Sequence, residues 1–212
     1  MPLRLAILAW EYPPRIVGEM AHHVHRLATE LVKGDCQVSV ITAGDGYPRY
    51  EQVSDRLEVY RVPDPLGSHP TIVTWALSLS SEIQRTVADL WYGRPGRLDL
   101  LHIHEWQFLP AAVGLAKAFP LPLVLTLHSL EDHRTGDPFA PLSSCIRSLE
   151  QLGARESRVV ITQSDWMKRE VERVHRVPPS KVRVIRPESP RWVDEVADSY
   201  QAALPRAAGD RP

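Results

Sequence analysis

Apolar residues along this 212-residue chain fall into short continuous runs, separated by longer stretches in which they recur every three or four positions. The short runs lie at 3–9, 38–42, 57–62, 99–103, 121–127, 158–162 and 181–185. They have strand length and are rich in Val, Ile and Leu, the pattern of strands buried on both faces. Between them the helical period predicts helices at about 19–33, 71–92, 107–118, 140–155 and 165–174. In the first, Met20, Val24, Leu27 and Leu31 share one face and Gly34 stops the helix. The fifth opens on Ser164-Asp165, good N-cap chemistry, and ends ahead of Pro178-Pro179. Val193, Val196, Ala197 and Tyr200 fit a last helix over about 190–204, and 207–212 reads as a frayed end. The stretch 63–70, with three prolines and Gly67, is a loop inside the domain rather than a boundary. Strands alternating with helices predict the α/β class: a Rossmann-like three-layer α/β/α sandwich with a mainly parallel sheet. The expected division is one domain at 1–186, then a C-terminal helix and tail at 187–212. In such sheets ligands sit at the carboxyl ends of the strands, where the strand order reverses.

Composition narrows the classes. With 25 basic against 26 acidic residues, no polyanion-binding surface covers the protein, so a nucleic-acid partner is not expected. Cys36 and Cys145 have neither framework nor ligand spacing, which places the chain in a reducing, cytoplasmic compartment. No apolar run approaches the roughly 20 residues of a membrane span, and the N-terminal run lacks the h-region and cleavage site of a signal peptide.

Three segments carry chemistry at strand ends. The first, Trp10-Glu11-Tyr12-Pro13-Pro14-Arg15-Ile16-Val17-Gly18-Glu19, joins the first strand to the first helix, where backbone N–H groups can meet an anion. With Gly18 alone available and Glu19 adding negative charge, it is a poor phosphate cradle, and an ordinary proline-stiffened loop is the competing reading. The second, His102-Ile103-His104-Glu105-Trp106-Gln107, offers imidazole, carboxylate, indole and amide, a set suited to hydroxyl-rich ligands. His102 and His104 point to one side of their strand, and only one is expected to clear its end. Two histidines and a carboxylate are a weak ligand set without a third histidine nearby, so no metal is expected. The third segment ends a very apolar strand at His128, either a functional residue at the carboxyl edge or a cap on the strand end. His22, His23 and His25 read as a solvated helix start. Walker, G-x-G-x-x-G and G-x-S-x-G motifs are absent.

In this order the segments resemble the N-terminal domain of glycogen and starch synthases and related retaining glycosyltransferases of GT-B fold. Trp10-Glu11-Tyr12-Pro13-Pro14 resembles that family's opening strand-loop. Residues 101–107 resemble its H-x-H-D-W-Q segment, with Glu105 in place of the usual Asp, and 123–128 the strand ending in its active-site histidine. The stretches 155–168 and 178–185 resemble the strands and helix that follow. The resemblance implies transfer of glucose from ADP- or UDP-glucose to an α-glucan or other acceptor, with retention and with no cofactor or metal. It assigns His128 to the transferred sugar and Arg15, Gly18 and Glu19 to the donor loop. Trp10, Glu11, Tyr12, His104, Glu105, Trp106 and Gln107 fall to the acceptor side or cleft wall.

Two departures qualify this. The family's first loop typically reads Lys-x-Gly-Gly, whereas Ile16 stands at the lysine position and Glu19 at the second glycine. A carboxylate there repels a diphosphate. After Ile185 the family continues into a second Rossmann-like domain with most of the nucleotide contacts, but here Arg186-Pro187-Glu188-Ser189-Pro190 leads to one helix. The expectation is an acceptor half, inactive alone, that works with a separate chain bearing the C-terminal GT-B domain. The alternative is a non-catalytic glucan-binding or regulatory protein. A homodimer covering the face the second domain would meet is a further expectation.

Overall fold

In the computed structural model, which describes residues 2–44, 46–47, 49–93, 98–137 and 139–205, the first apolar run is β1 (Leu3–Ala9). The other strands are β2 (Cys36–Gly44), β3 (Tyr50–Ser54), β4 (Leu57–Pro63), β5 (Leu100–His104), β6 (Leu123–Thr126), β7 (Val159–Thr162) and β8 (Val182–Val184). They form one eight-stranded sheet in the order β3-β4-β2-β1-β5-β6-β7-β8, parallel throughout except where β3 pairs antiparallel with β4. The helices are α1 (Glu19–Leu31), α2 (Ile72–Gly93), α3 (Leu109–Ala118), α4 (Glu131–Arg134), α5 (Pro141–Glu156), α6 (Asp165–His175) and α7 (Trp192–Ala203).

Alternation along β1 separates the layers. Leu5, Ile7 and Ala9 pack with Val24 and Leu27 of α1 and Tyr200 of α7. Ala6 and Leu8 face the other way, into a core shared with α2, α3, α5 and α6. The result is the three-layer sandwich that the alternation of elements predicts, with every central strand covered on both sides. α6 begins as expected, with Ser164 Oγ accepting the Met167 N–H at 3.1 Å. α5 approaches α3 closely at Gly153, where an added Cβ would come within 2.4 Å of Leu109 Cδ1. None of the described helices is long and apolar enough to cross a membrane.

Three elements differ from expectation, the first being α4, a single turn absent from the expected helices. β3 is exposed along its whole length, so it has no apolar face for a sequence pattern to show; backbone pairing with β4 makes it a strand. β5 ends on His104 rather than at 103, so both of its histidines lie inside the strand. The expected frayed end at 207–212 lies outside the described residues.

β1 pairs with β2 on one side and β5 on the other, and strand order reverses there. Register sets Ala9 level with His104, and His104 level with Thr126. The carboxyl ends of β1, β5 and β6 therefore open on one place, the crevice where ligands bind in such sheets.

Candidate functional site

A cavity of about 370 Å³ lies at that crevice, lined by Trp10, Glu11, Glu19, Met20, Ile72, Glu105, Trp106, Gln107, His128, Ser129, Glu131, Arg134 and Ile146. Its first wall is the loop from β1 to α1. Glu11 is buried, and its Oε2 accepts the N–H of Val17 at 2.6 Å and of Gly18 at 2.8 Å. The backbone N–H groups of Val17 and Gly18 are thus already taken by a side chain of the same loop. Gly18 is extended (φ −152°), and a Cβ there would meet Glu11 Oε1 at an ordinary 3.6 Å, so nothing local demands glycine. Glu19 is the first residue of α1, and its negative charge suits the helix N-terminus.

The second wall begins where β5 ends. Glu105 holds a left-handed backbone (φ 65°), a strained conformation for a residue with a Cβ. Its side chain shows what this turn serves. Oε1 accepts the backbone N–H of His128 at 2.6 Å and of Ser129 at 2.9 Å, and Oε2 pairs with Arg134 at 3.3 Å. Arg134 also meets Glu131 at 3.2 Å and the fully buried Glu150 at 2.7 Å. Glu150 in turn accepts the Glu131 N–H at 3.0 Å, and burial pushes its carboxyl up to about 7. Burial raises the Glu105 carboxyl as well; Arg134 and the two N–H donors pull it back. This network fixes the turn that carries His128.

Behind His128 the histidines gather. His102 and His104 both point to the α1/α7 side of β5 and both are fully buried. His102 is held by Tyr200 Oη on Nδ1 and Thr126 Oγ1 on Nε2, each at 2.8 Å. His104 Nδ1 lies 3.0 Å from His128 Nε2, and His128 Nδ1 lies 3.0 Å from Gln163 Nε2. If the Gln163 amide nitrogen donates, His128 carries its proton on Nε2 and passes a hydrogen bond to His104; turning the amide reverses the chain. The His23 ring closes the group, 5.1 Å from that of His128, 5.7 Å from His104 and 5.2 Å from Trp192. Burial dominates the protonation of all four rings. It lowers His23 to about 4, His102 and His128 to about 3, and His104 well below the ordinary value. They are neutral at physiological pH.

The structure thus brings together Trp10, Glu11, Glu19, Glu105, Trp106, Gln107 and His128 on one cavity. Four other residues stand apart, among them Gly18, whose N–H is taken up by Glu11. His104 does not line it, because β5 runs one residue further than expected and α1 and α7 cover that face of the sheet. Tyr12 is buried among Leu5, Ile7 and Met20, with its ring 5.6 Å from that of His25. Arg15 lies beside the aromatic rings of Trp10 and Trp75, at 5.6 and 5.7 Å. The reading of the α1 histidines as a solvated start holds for the exposed His22 and His25 but not for His23, which is half-buried in the cluster. Helical spacing carried that signal, since His23 is three residues from Met20 and four from Leu27 on the buried face. Gln163 follows directly on β7, where the strand-end rule reaches it. Arg134 and Glu150 carried no sequence signal.

A Rossmann-like domain with an indole, amide, carboxylate and imidazole cleft at its topological reversal is the N-terminal half of a GT-B glycosyltransferase in architecture. Comparison with known proteins agrees, for the model of Glycosyltransferase Family 4 matches residues 20–187. The chain belongs to that family. It is 37% identical to an uncharacterized glycosyltransferase, MJ1607, of Methanocaldococcus jannaschii, over 86% of this chain and 45% of that protein. It is 27% identical to a glycogen synthase of Mycobacterium tuberculosis, over 96% of this chain and 51% of that one. In structure it resembles a sucrose-phosphate synthase chain of Thermosynechococcus elongatus, with TM-score 0.69 at 16% identity, covering 94% of this chain and 97% of the other. The chain spans about half the length of the curated relatives it matches.

Proposed function

We propose that this chain is the acceptor-side half of a retaining glycosyltransferase of the glycogen and starch synthase kind. It transfers glucose from ADP- or UDP-glucose to an α-glucan or a related hydroxyl acceptor once a donor-binding domain, supplied by residues outside this chain, closes over the cleft. One observation carries the reading: the cavity at the carboxyl ends of β1, β5 and β6 joins Trp106, Gln107 and His128 in a single wall. The partly buried Trp10 on the same cavity gives a sugar ring an indole to stack on and the Gln107 amide binds its hydroxyls, while both ring nitrogens of His128 are held by Gln163 and His104. Neutral His128, clamped through its backbone by Glu105 and through its ring by Gln163 and His104, is pre-positioned against the transferred sugar. During transfer the bond from sugar C1 to the diphosphate oxygen breaks, the acceptor oxygen bonds to C1 on the same face, and the acceptor's proton leaves with the diphosphate. Dipoles placed beforehand stabilise the charge that develops at C1.

The diphosphate is not received here. The cavity lining holds four carboxylates, Glu11, Glu19, Glu105 and Glu131, against the guanidinium of Arg134, which is itself engaged by acids. The same charge balance favours a second reading, a non-catalytic glucan-binding or regulatory protein that never takes a nucleotide. Unpaired Cys36 and Cys145, the latter exposed, suit a reducing cytoplasm under either reading.

Co-expression with a GT-B C-terminal domain, followed by incubation with each nucleotide sugar and maltooligosaccharide, separates the two. The first reading expects chain extension by the pair and none by this chain alone, even as Glu19→Gly. It also expects a loss of at least 100-fold in His128→Ala. Calorimetric binding of maltooligosaccharide, with no transfer in any mixture, supports the second; neither binding nor transfer defeats both.

A further inference from the structure

The histidines at and behind the cleft wall suggest a second chemistry, one that shares His128 with the proposed sugar site. His23 from α1, His104 from β5 and His128 from the turn after β6 each present one ring nitrogen, and these atoms lie within 4.8 Å of one another. We infer that these three residues form a binding site for one divalent transition-metal ion of the imidazole-preferring class, with Zn²⁺ as its natural probe.

The geometry suits such an ion. His104 Nδ1 and His128 Nε2 are 3.0 Å apart. An ion about 2.0–2.1 Å from each would subtend an angle of about 95°, close to that between adjacent ligands of a five- or six-coordinate centre. Ligand atoms up to 4.8 Å apart exceed the roughly 4 Å that two bonds of about 2.0–2.1 Å can span, so the half-buried His23 ring must close in to bind. Three imidazoles meet the ligand count of a site that keeps positions open for water or another ligand.

With the ion on Nδ1, His104 would carry its proton on Nε2, which is buried without a hydrogen-bond partner among the described residues with or without the ion. A group that orients a ligand is also present. With its oxygen turned inward, the Gln163 amide 3.0 Å from His128 Nδ1 would accept the Nδ1 proton and leave Nε2 free for metal. The cluster is reachable from both sides: His128 lines the 370 Å³ cavity, and His23 and Gln163 line a neighbouring one of about 300 Å³.

Chelator-treated chain without a histidine tag, titrated with Zn²⁺ in a calorimeter, tests this. One ion per chain is expected. His23→Gln and His128→Gln should each weaken binding at least tenfold, while His22→Gln, on the exposed neighbour, leaves it unchanged. Should either variant prove unfolded by circular dichroism, the native chain still decides: on adding Zn²⁺, ¹⁵N shifts must move at His23, His104 and His128 and not at His69 or His133. Absence of stoichiometric uptake, or uptake indifferent to both substitutions, overturns the site. Because His128 belongs to both sites, the domain-complementation experiment tests sugar transfer separately, in metal-free buffer.

Discussion

Glu105 shows how much one side chain can hold. It adopts φ 65° and satisfies two backbone donors on another strand's turn, so its own strain is offset by contacts rather than by a permissive residue. Replacing it by alanine keeps the unfavourable backbone and orphans the N–H groups of His128 and Ser129. Each such loss is worth about 1–3 kcal/mol if the donor stays dry. Glu105→Ala is therefore expected to lower stability by at least about 2 kcal/mol in urea unfolding, and to speed amide exchange at 128 and 129 more than elsewhere. A loss below about 0.5 kcal/mol would show that water replaces the carboxylate freely. The residue's place at a strand end was legible in its segment, because indole, amide and carboxylate cluster there. Its partners were not: they lie more than twenty positions away, and no periodicity links them.

Among the elements, α3 and α5 are held at a distance only glycine permits. The Leu109 side chain occupies the space a Cβ on Gly153 would need, and Leu109 is fully buried. Gly153→Ala gains helix propensity, about 1 kcal/mol in an exposed helix, but must push a core side chain or separate two helices. The clash is expected to win, with a net destabilisation of about 1–3 kcal/mol by chemical denaturation. A stabilised variant would mean the packing yields more easily than the distances suggest. The helices were legible from their apolar periodicity, and α6 from its Ser164 cap. By contrast β3 has no buried residue, and α4 is one turn long, too short for a period to register.

For the whole molecule the dominant electrostatic fact is burial of neutral histidines. His23 and His175 are lowered to about 4, His102 and His128 to about 3, and His104 well below its ordinary value, in each case chiefly by desolvation. Unfolded, each titrates near 6.5. Between pH 6.5 and about 4 the unfolded chain takes up protons that the native state refuses. Stability therefore falls as pH falls, by up to about 1.4 kcal/mol per pH unit for each ring. Glu150 opposes this: raised to about 7, it is protonated in the native state before the unfolded chain's carboxyl is, and favours folding as pH falls toward 4.5. Glu105, also raised by burial, acts in the same direction, and two carboxyls against five imidazoles leave a net loss. The urea midpoint is expected to drop steeply from pH 7 to pH 5; a flat or rising profile would mean that the rings accept protons in place.

At this scale the division between sequence and structure is clearest. Residue pattern alone determined the alternating elements, the parallel sandwich and the three strand-end segments, because strand and helix periods and end signals are local properties of the chain. Only the tertiary structure decided that Glu11 occupies the N–H groups of the first loop, that His104 turns inward, and that His23 and Gln163 join His128. Those contacts depend on strand order, register and the docking of α1 and α7. These are set by packing summed over the whole sheet, and no local spacing encodes them.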